Sequence, residues 1–222
     1  MLGLNLATVK IKSYTLSMAI PGYHHGDLKN ALIAAGVKIL AREGVAGLGL
    51  RNVAKEAGVS HSALYAHFAD KQALIAAIST EGFKQLYSTI EAGLVARKGR
   101  PAALLVEISL SYLRFALDEP DRFKLMYSSV MDKNRDFPDF VEYSHRTFEK
   151  YVEVIALCQE GGILRPGPAR LTALTLWAAV HGIVMLALEK QVPHDLLDDF
   201  DLEDMLLFAL NRMTLAELKG AE

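Results

Sequence analysis

Apolar positions recur every three or four residues through most of the chain, and no stretch of useful length alternates apolar with polar side chains. The pattern therefore predicts helices nearly throughout and no strands. Asp27 stands at a capping position ahead of a stripe formed by Leu28, Ala31, Leu32, Ala35 and Ile39, which runs out near Gly44. A short helix fits Arg51 to Ala57. Gly58, Val59 and Ser60 then interrupt the pattern, and a third helix fits His61 to Phe68, with Leu64 and Phe68 on one face. Asp70 caps a long fourth helix from Lys71 to near Leu94. Pro101 opens a helix over Ala102 to Leu117, and Glu119-Pro120 ends it and begins another through Val130. After a charged loop from Asp132 to Pro138, helices fit Phe140 to Gln159, Ala169 to Lys190 and Leu202 to Leu218. That is about nine helices in all, and the fold class expected is all-α.

Composition narrows the reading. Of 222 residues, 51% are hydrophobic and 23% charged, enough to bury a core and too apolar for intrinsic disorder. One cysteine, Cys158, excludes an intrachain disulfide and any multi-cysteine metal site, and suits the reducing cytoplasm. The net charge of -2 divides unevenly. Residues 1–71 carry eight basic and four acidic residues, whereas the remainder carries sixteen and twenty-two. A basic front on an acidic body suggests that the amino-terminal part meets an anionic partner.

Two segments resemble targeting or membrane signals. The first seventeen residues lack a basic start followed by a sufficient apolar run, so residues 1–20 are expected to be a flexible tail, with Met18 an alternative translation start. Leu171 to Leu188 carries no formal charge over eighteen residues. Thr172, Thr175 and His181 within it favour a buried helix over a membrane span.

The segment richest in chemistry lies between residues 51 and 71. Two short helices joined by Gly58-Val59-Ser60 have helix-turn-helix spacing. Gly58 supplies the positive φ of the turn, Val59 plugs the angle between the helices, and Ser60 caps the second helix. That helix then presents His61, Ser62, Ala63 and His67, side chains small or polar enough for a major groove. His24 and His25 have no third ligand at metal-binding spacing and read as a polar lead-in.

With these residues in place, Gly22 to Leu74 resembles the DNA-binding domain of TetR-type transcriptional regulators. Gly58-Val59-Ser60, Leu64-Tyr65, His67-Phe68 and Lys71 match its most specific stretch. Tyr23 to Leu28, together with Trp177 and His181-Gly182, resembles a subgroup with a W…HG carboxy-terminal domain. The resemblance implies a DNA-binding domain over 21–70 and a helical ligand-binding and dimerisation domain over 71–222. It implies that Ser60, His61 and Ser62 lie near bases or the groove wall, that Tyr65 and His67 contact phosphates, and that Lys71 clamps one. The family usually has Ser or Thr where this chain has Gly49, which offers no hydroxyl, so Arg51 is expected to carry more of that phosphate contact.

In the body, Trp177 and His181 are i,i+4 neighbours with Leu174 and Met185 above and below. They read equally as a pocket wall with one polar handle or as a core helix whose histidine bonds a neighbour. Tyr112, Phe115, Phe123, Met126 and Tyr127 are candidates to line the same cavity, and the shortage of buried charge suggests an apolar ligand. Ala178 and Gly182, with Leu206, Leu207, Phe208, Leu210 and Met213, suggest a four-helix dimer interface. The function expected is a transcriptional regulator, a repressor, that binds a palindromic operator on double-stranded DNA as a homodimer and is released by a small-molecule effector, with no cofactor or metal. The rival reading is a ligand-binding helical protein or an enzyme without specific DNA binding. Against an enzyme, Cys158 has no nearby His in sequence, and no phosphate-binding glycine loop is present.

Overall fold

A computed structural model describes residues 28–130, 136–215 and 218. Among them are ten helices and no strand: α1 (Leu28–Gly47), α2 (Leu50–Glu56), α3 (His61–Tyr65), α4 (Lys71–Ala96), α5 (Pro101–Asp118), α6 (Pro120–Tyr127), α7 (Pro138–Glu160), α8 (Ala169–Leu188), α9 (His194–Asp199) and α10 (Leu202–Asn211). The all-α class is as expected. Asp27, His24, His25, Met18 and the tail lie outside the described residues.

Local chemistry explains most boundaries. Pro101, Pro120 and Pro138 each occupy the first turn of a helix, where a missing N–H costs nothing. Asp70 accepts from the Ala73 N–H at 3.0 Å to start α4. Asp201 and Asp204 form a reciprocal capping box on α10.

Five expected spans change. Chain direction turns at Gly44, φ 67°, yet helical structure resumes to Gly47, and the buried stripe of α1 shifts to Leu32, Ile33, Ala35, Gly36, Ile39 and Leu40, leaving Ala31 exposed. α3 ends at Tyr65 in a turn whose Phe68 N–H still reaches the Leu64 carbonyl. α6 stops at Tyr127, three residues short of Val130, where the Ser128 hydroxyl donates to the Leu125 carbonyl. α10 ends at Asn211, whose side-chain amide bonds the Leu218 backbone twice and folds the chain back. α9 forms where a plain connection was expected.

Two hydrophobic clusters make the cores. One joins α1, α2 and α3 to the first turns of α4, from Leu74 to Ile78; the other joins the rest of α4, from Phe83 on, to α5, α6, α7, α8 and α10. The single helix α4 thus belongs to both. So does α6: Phe123 and Met126 lie in the larger core, whereas Leu125, 1% exposed, is buried in the amino-terminal one.

α8 is the one described helix long and apolar enough to cross a membrane, but it packs against α7, α5 and α10. Ala173, Leu176, Val180 and Val184 form its buried stripe. The opposite side stays open: Leu171, Leu174 and Leu186 are exposed, and nothing lies near Gly182. The helix is therefore half covered rather than buried.

Candidate DNA interface and ligand cavity

The turn between α2 and α3 is built as its residues require. Gly58 takes φ 68°, a conformation costly for any side chain. Val59 packs against the amino-terminal core. Ser60 is extended and accepts from the Ala63 N–H at 3.2 Å, while its hydroxyl also lies 2.9 Å from that of Ser62. Leu64 and Phe68 anchor α3 inward, so its other side faces solvent.

Around α3, Ser60, His61, Ser62, Tyr65 and His67 are all exposed, as is Arg51 on α2. Tyr65 is 54% exposed, unusual for a large aromatic on an otherwise well-packed unit. Arg51 has no ion-pair partner among the described residues, unlike Arg42, which Glu43 and Glu56 neutralise. Lys71 is half-buried, and its ammonium donates to the Val45 carbonyl at 2.6 Å, tying the start of α4 to the end of α1 with two donors to spare. Gly49 caps α2 without a side-chain bond.

In the body, a cavity of about 300 Å³ opens between α4, α5, α7 and α8. Its walls are mostly apolar, including Phe83, Leu86, Ile108, Phe148 and Val180. Thr89, Ser144 and the exposed His145 also line it, on the side toward solvent. Of the candidate ligand residues, Tyr112, Tyr127 and Trp177 line this cavity. Phe115, Phe123, Met126 and His181 stand one layer behind it: the first three are almost fully buried, and Phe123 stacks edge-on between Tyr112 and Phe115. Cavity walls missing from the sequence reading, such as Phe83 and Thr147, come from helices far apart in sequence and carry no local signal.

A polar chain runs through this aromatic cluster. The Trp177 indole N–H donates to the Tyr112 hydroxyl at 3.1 Å, and that hydroxyl lies 2.9 Å from His181 Nδ1. Indole only donates, so the Tyr112 proton is free to point at a neutral His181, and burial lowers the His181 pKa in the same sense. Burial also pushes the Tyr127 hydroxyl up to about 12 and those of Tyr112 and Tyr151 higher still, so the cavity presents uncharged hydroxyls at neutral pH. Cys158 is wholly buried, with its thiol raised to about 12 by burial, and is an inert core residue rather than a nucleophile.

Comparison with known proteins agrees with this architecture. Residues 32–78 match the family described as "Bacterial regulatory proteins, tetR family", and residues 105–210 match "Tetracyclin repressor-like, C-terminal domain". Similar solved structures include a protein of unknown function from Rhodococcus sp. RHA1, 31% identical over 86% of this chain and 95% of that one, with a TM-score of 0.73. Two further matches share the fold: the TetR-family transcriptional regulator PfmR from Thermus thermophilus (18% identity, 86% and 98% covered, TM-score 0.61) and SmeT, the repressor of the Stenotrophomonas maltophilia multidrug efflux pump SmeDEF (18%, 87% and 96%, 0.63). No curated protein matches the chain. The chain belongs to the TetR family and is a DNA-binding transcriptional regulator.

Proposed function

We propose that the protein represses transcription from the cytoplasm by binding a two-fold-symmetric operator as a homodimer, and that an uncharged, largely apolar small molecule in the body releases it. The observation that carries this reading is that α4 and α6 each serve both cores. Along α6, three consecutive residues face three environments: Tyr127 lines the cavity, Met126 lies against Gly82 of α4, and Leu125 sits inside the amino-terminal core. A ligand that moves Tyr127 therefore moves a side chain in the core that carries the helix-turn-helix. A coupling of about 1–3 kcal/mol would change DNA affinity roughly 5–150-fold.

On the DNA side, α3 is the recognition helix. His61 and Ser62 read the groove, Ser60 spends its hydroxyl mainly on the turn, and Arg51, Tyr65, His67 and Lys71 hold phosphates. In the body, Tyr112, Tyr127 and Trp177 contact the ligand, and Phe115, Phe123, Met126 and His181 support them. The open stripe of α8, with exposed Leu171, Leu174 and Leu186, and Phe208 of α10 at 68% exposure, supports a dimer interface built from these helices. Trp177, His181 and Gly182 on α8 support the W…HG subgroup.

The test is selection of randomised duplex DNA by the purified protein, followed by affinity for the winning sequence against salt. Enrichment of one two-fold-symmetric site, with half-sites about one helical turn apart, is expected. No enrichment, or binding that depends on salt alone, would overturn the repressor reading.

A further inference from the structure

Among the described residues, nothing buries the helix α9. Every residue from Pro193 to Asp201 is exposed, none of α9 is buried, and Leu196, Leu197 and Phe200 are 44%, 45% and 52% exposed. Six residues do not hold a helix in water unaided, and three large apolar side chains grouped in so short a segment mark a contact surface. Asp195, Asp198 and Asp199 have no ion-pair partner among the described residues, so the segment is acidic as well as apolar.

At the other end of α8 lies a surface of the complementary kind. A groove between the α7–α8 connection, the first turns of α8 and the end of α10 is lined by Leu171, Thr175 and Met213 together with Arg165 and Arg212. Neither arginine has an ion-pair partner among the described residues, and Leu171 is 63% exposed.

We propose that α9 of one protomer docks in this groove on a second copy of the chain, forming an inter-subunit arm at each end of the dimer. The proposal rests on the homodimer reading above. Within one chain the two surfaces stay apart, because the ten-residue helix α10 holds the end of α9 about 15 Å from Arg212 at 1.5 Å per residue. A two-fold axis crossing α8 sets the copies antiparallel and brings the acidic, apolar end of each opposite the basic, apolar end of its partner. A parallel arrangement would instead stack the α9 carboxylates of both copies on one another. Charge complementarity thus selects both the occupant and the orientation.

The experiment inverts the charge of the arm in the full chain. Asp195→Lys, Asp198→Lys and Asp199→Lys together are expected to raise the dimer dissociation constant by about tenfold or more at low salt. Adding Arg165→Glu and Arg212→Glu is expected to bring it back. Because Asp195, Asp198 and Asp199 are all exposed, circular dichroism of the first variant is expected to match wild type. A dimer whose dissociation constant is unchanged by the first set, or is not recovered by the second, overturns the arm. Sedimentation showing the wild type to be a monomer at micromolar concentration overturns the homodimer reading, and the arm with it.

Discussion

The Trp177 indole N–H and the Tyr112 hydroxyl meet at 3.1 Å, joining α8 to α5 at the wall of the cavity. Tyr112 in turn holds His181, so one hydroxyl satisfies two ring nitrogens on successive turns of α8. Tyr112→Phe strands both of them and is expected to cost about 1–3 kcal/mol, read as a lower urea midpoint. Trp177→Phe removes a donor and leaves the Tyr112–His181 bond in place, so its cost is expected to be the smaller. Equal losses, or no loss for Tyr112→Phe, would contradict the bond's role.

Acid is expected to weaken the fold through His181. Burial holds its folded pKa below that of the unfolded chain, about 6.5. The unfolded state therefore binds the proton first, and stability is lost as pH falls through about 6.5, until the folded pKa is reached. His181→Gln keeps an acceptor for Tyr112 and removes the titration. Denaturation midpoints at several pH values are expected to show a shallower decline for this variant across that window.

Gly82 of α4 lies against Met126 of α6. A Cβ added there would land within the radius of Met126 Sδ, so Gly82→Ala is expected to force the methionine aside and cost about 1–3 kcal/mol. Met126→Ala opens a cavity by itself, but in the double variant the two changes compensate, and their combined cost is expected to fall short of the sum. Thermal denaturation of the three variants measures that coupling.

The proposed phosphate contacts predict a salt signature. Arg51→Ala is expected to lower the slope of log affinity against log salt by about 1 without affecting stability, since its side chain makes no contact that holds the fold. Lys71→Ala is expected to lower the slope similarly and also to destabilise the protein by about 1 kcal/mol, because the Val45 carbonyl loses its donor. Fluorescence anisotropy on the selected operator, with parallel urea titrations, separates the two effects.

What could be read in the sequence was the chemistry that acts over a few residues. The positive φ of Gly58, the caps at Ser60 and Asp70, the prolines that open α5, α6 and α7, and the exposure of His61, Ser62 and Tyr65 opposite Leu64 all follow from neighbours along the chain. Errors fell where a local pattern was overruled from a distance. α10 looked longer because Leu215 and Leu218 continue its apolar spacing, but the Leu215 N–H bonds the Ile163 carbonyl across the fold.

The sequence by itself determined an all-helical chain with a helix-turn-helix at its front, since periodicity, caps and turn residues are properties of adjacent positions. Only the tertiary structure decided which aromatic side chains face the cavity: Tyr127 does, while Phe123, one turn away on α6, turns into the core. Both are apolar residues on one amphipathic helix, and nothing in their spacing distinguishes a wall from its backing. The tertiary structure also decided that Leu125 reaches into the amino-terminal core and that no residue of α9 is buried among the described residues, because each depends on where other helices lie rather than on the residues beside it in the chain.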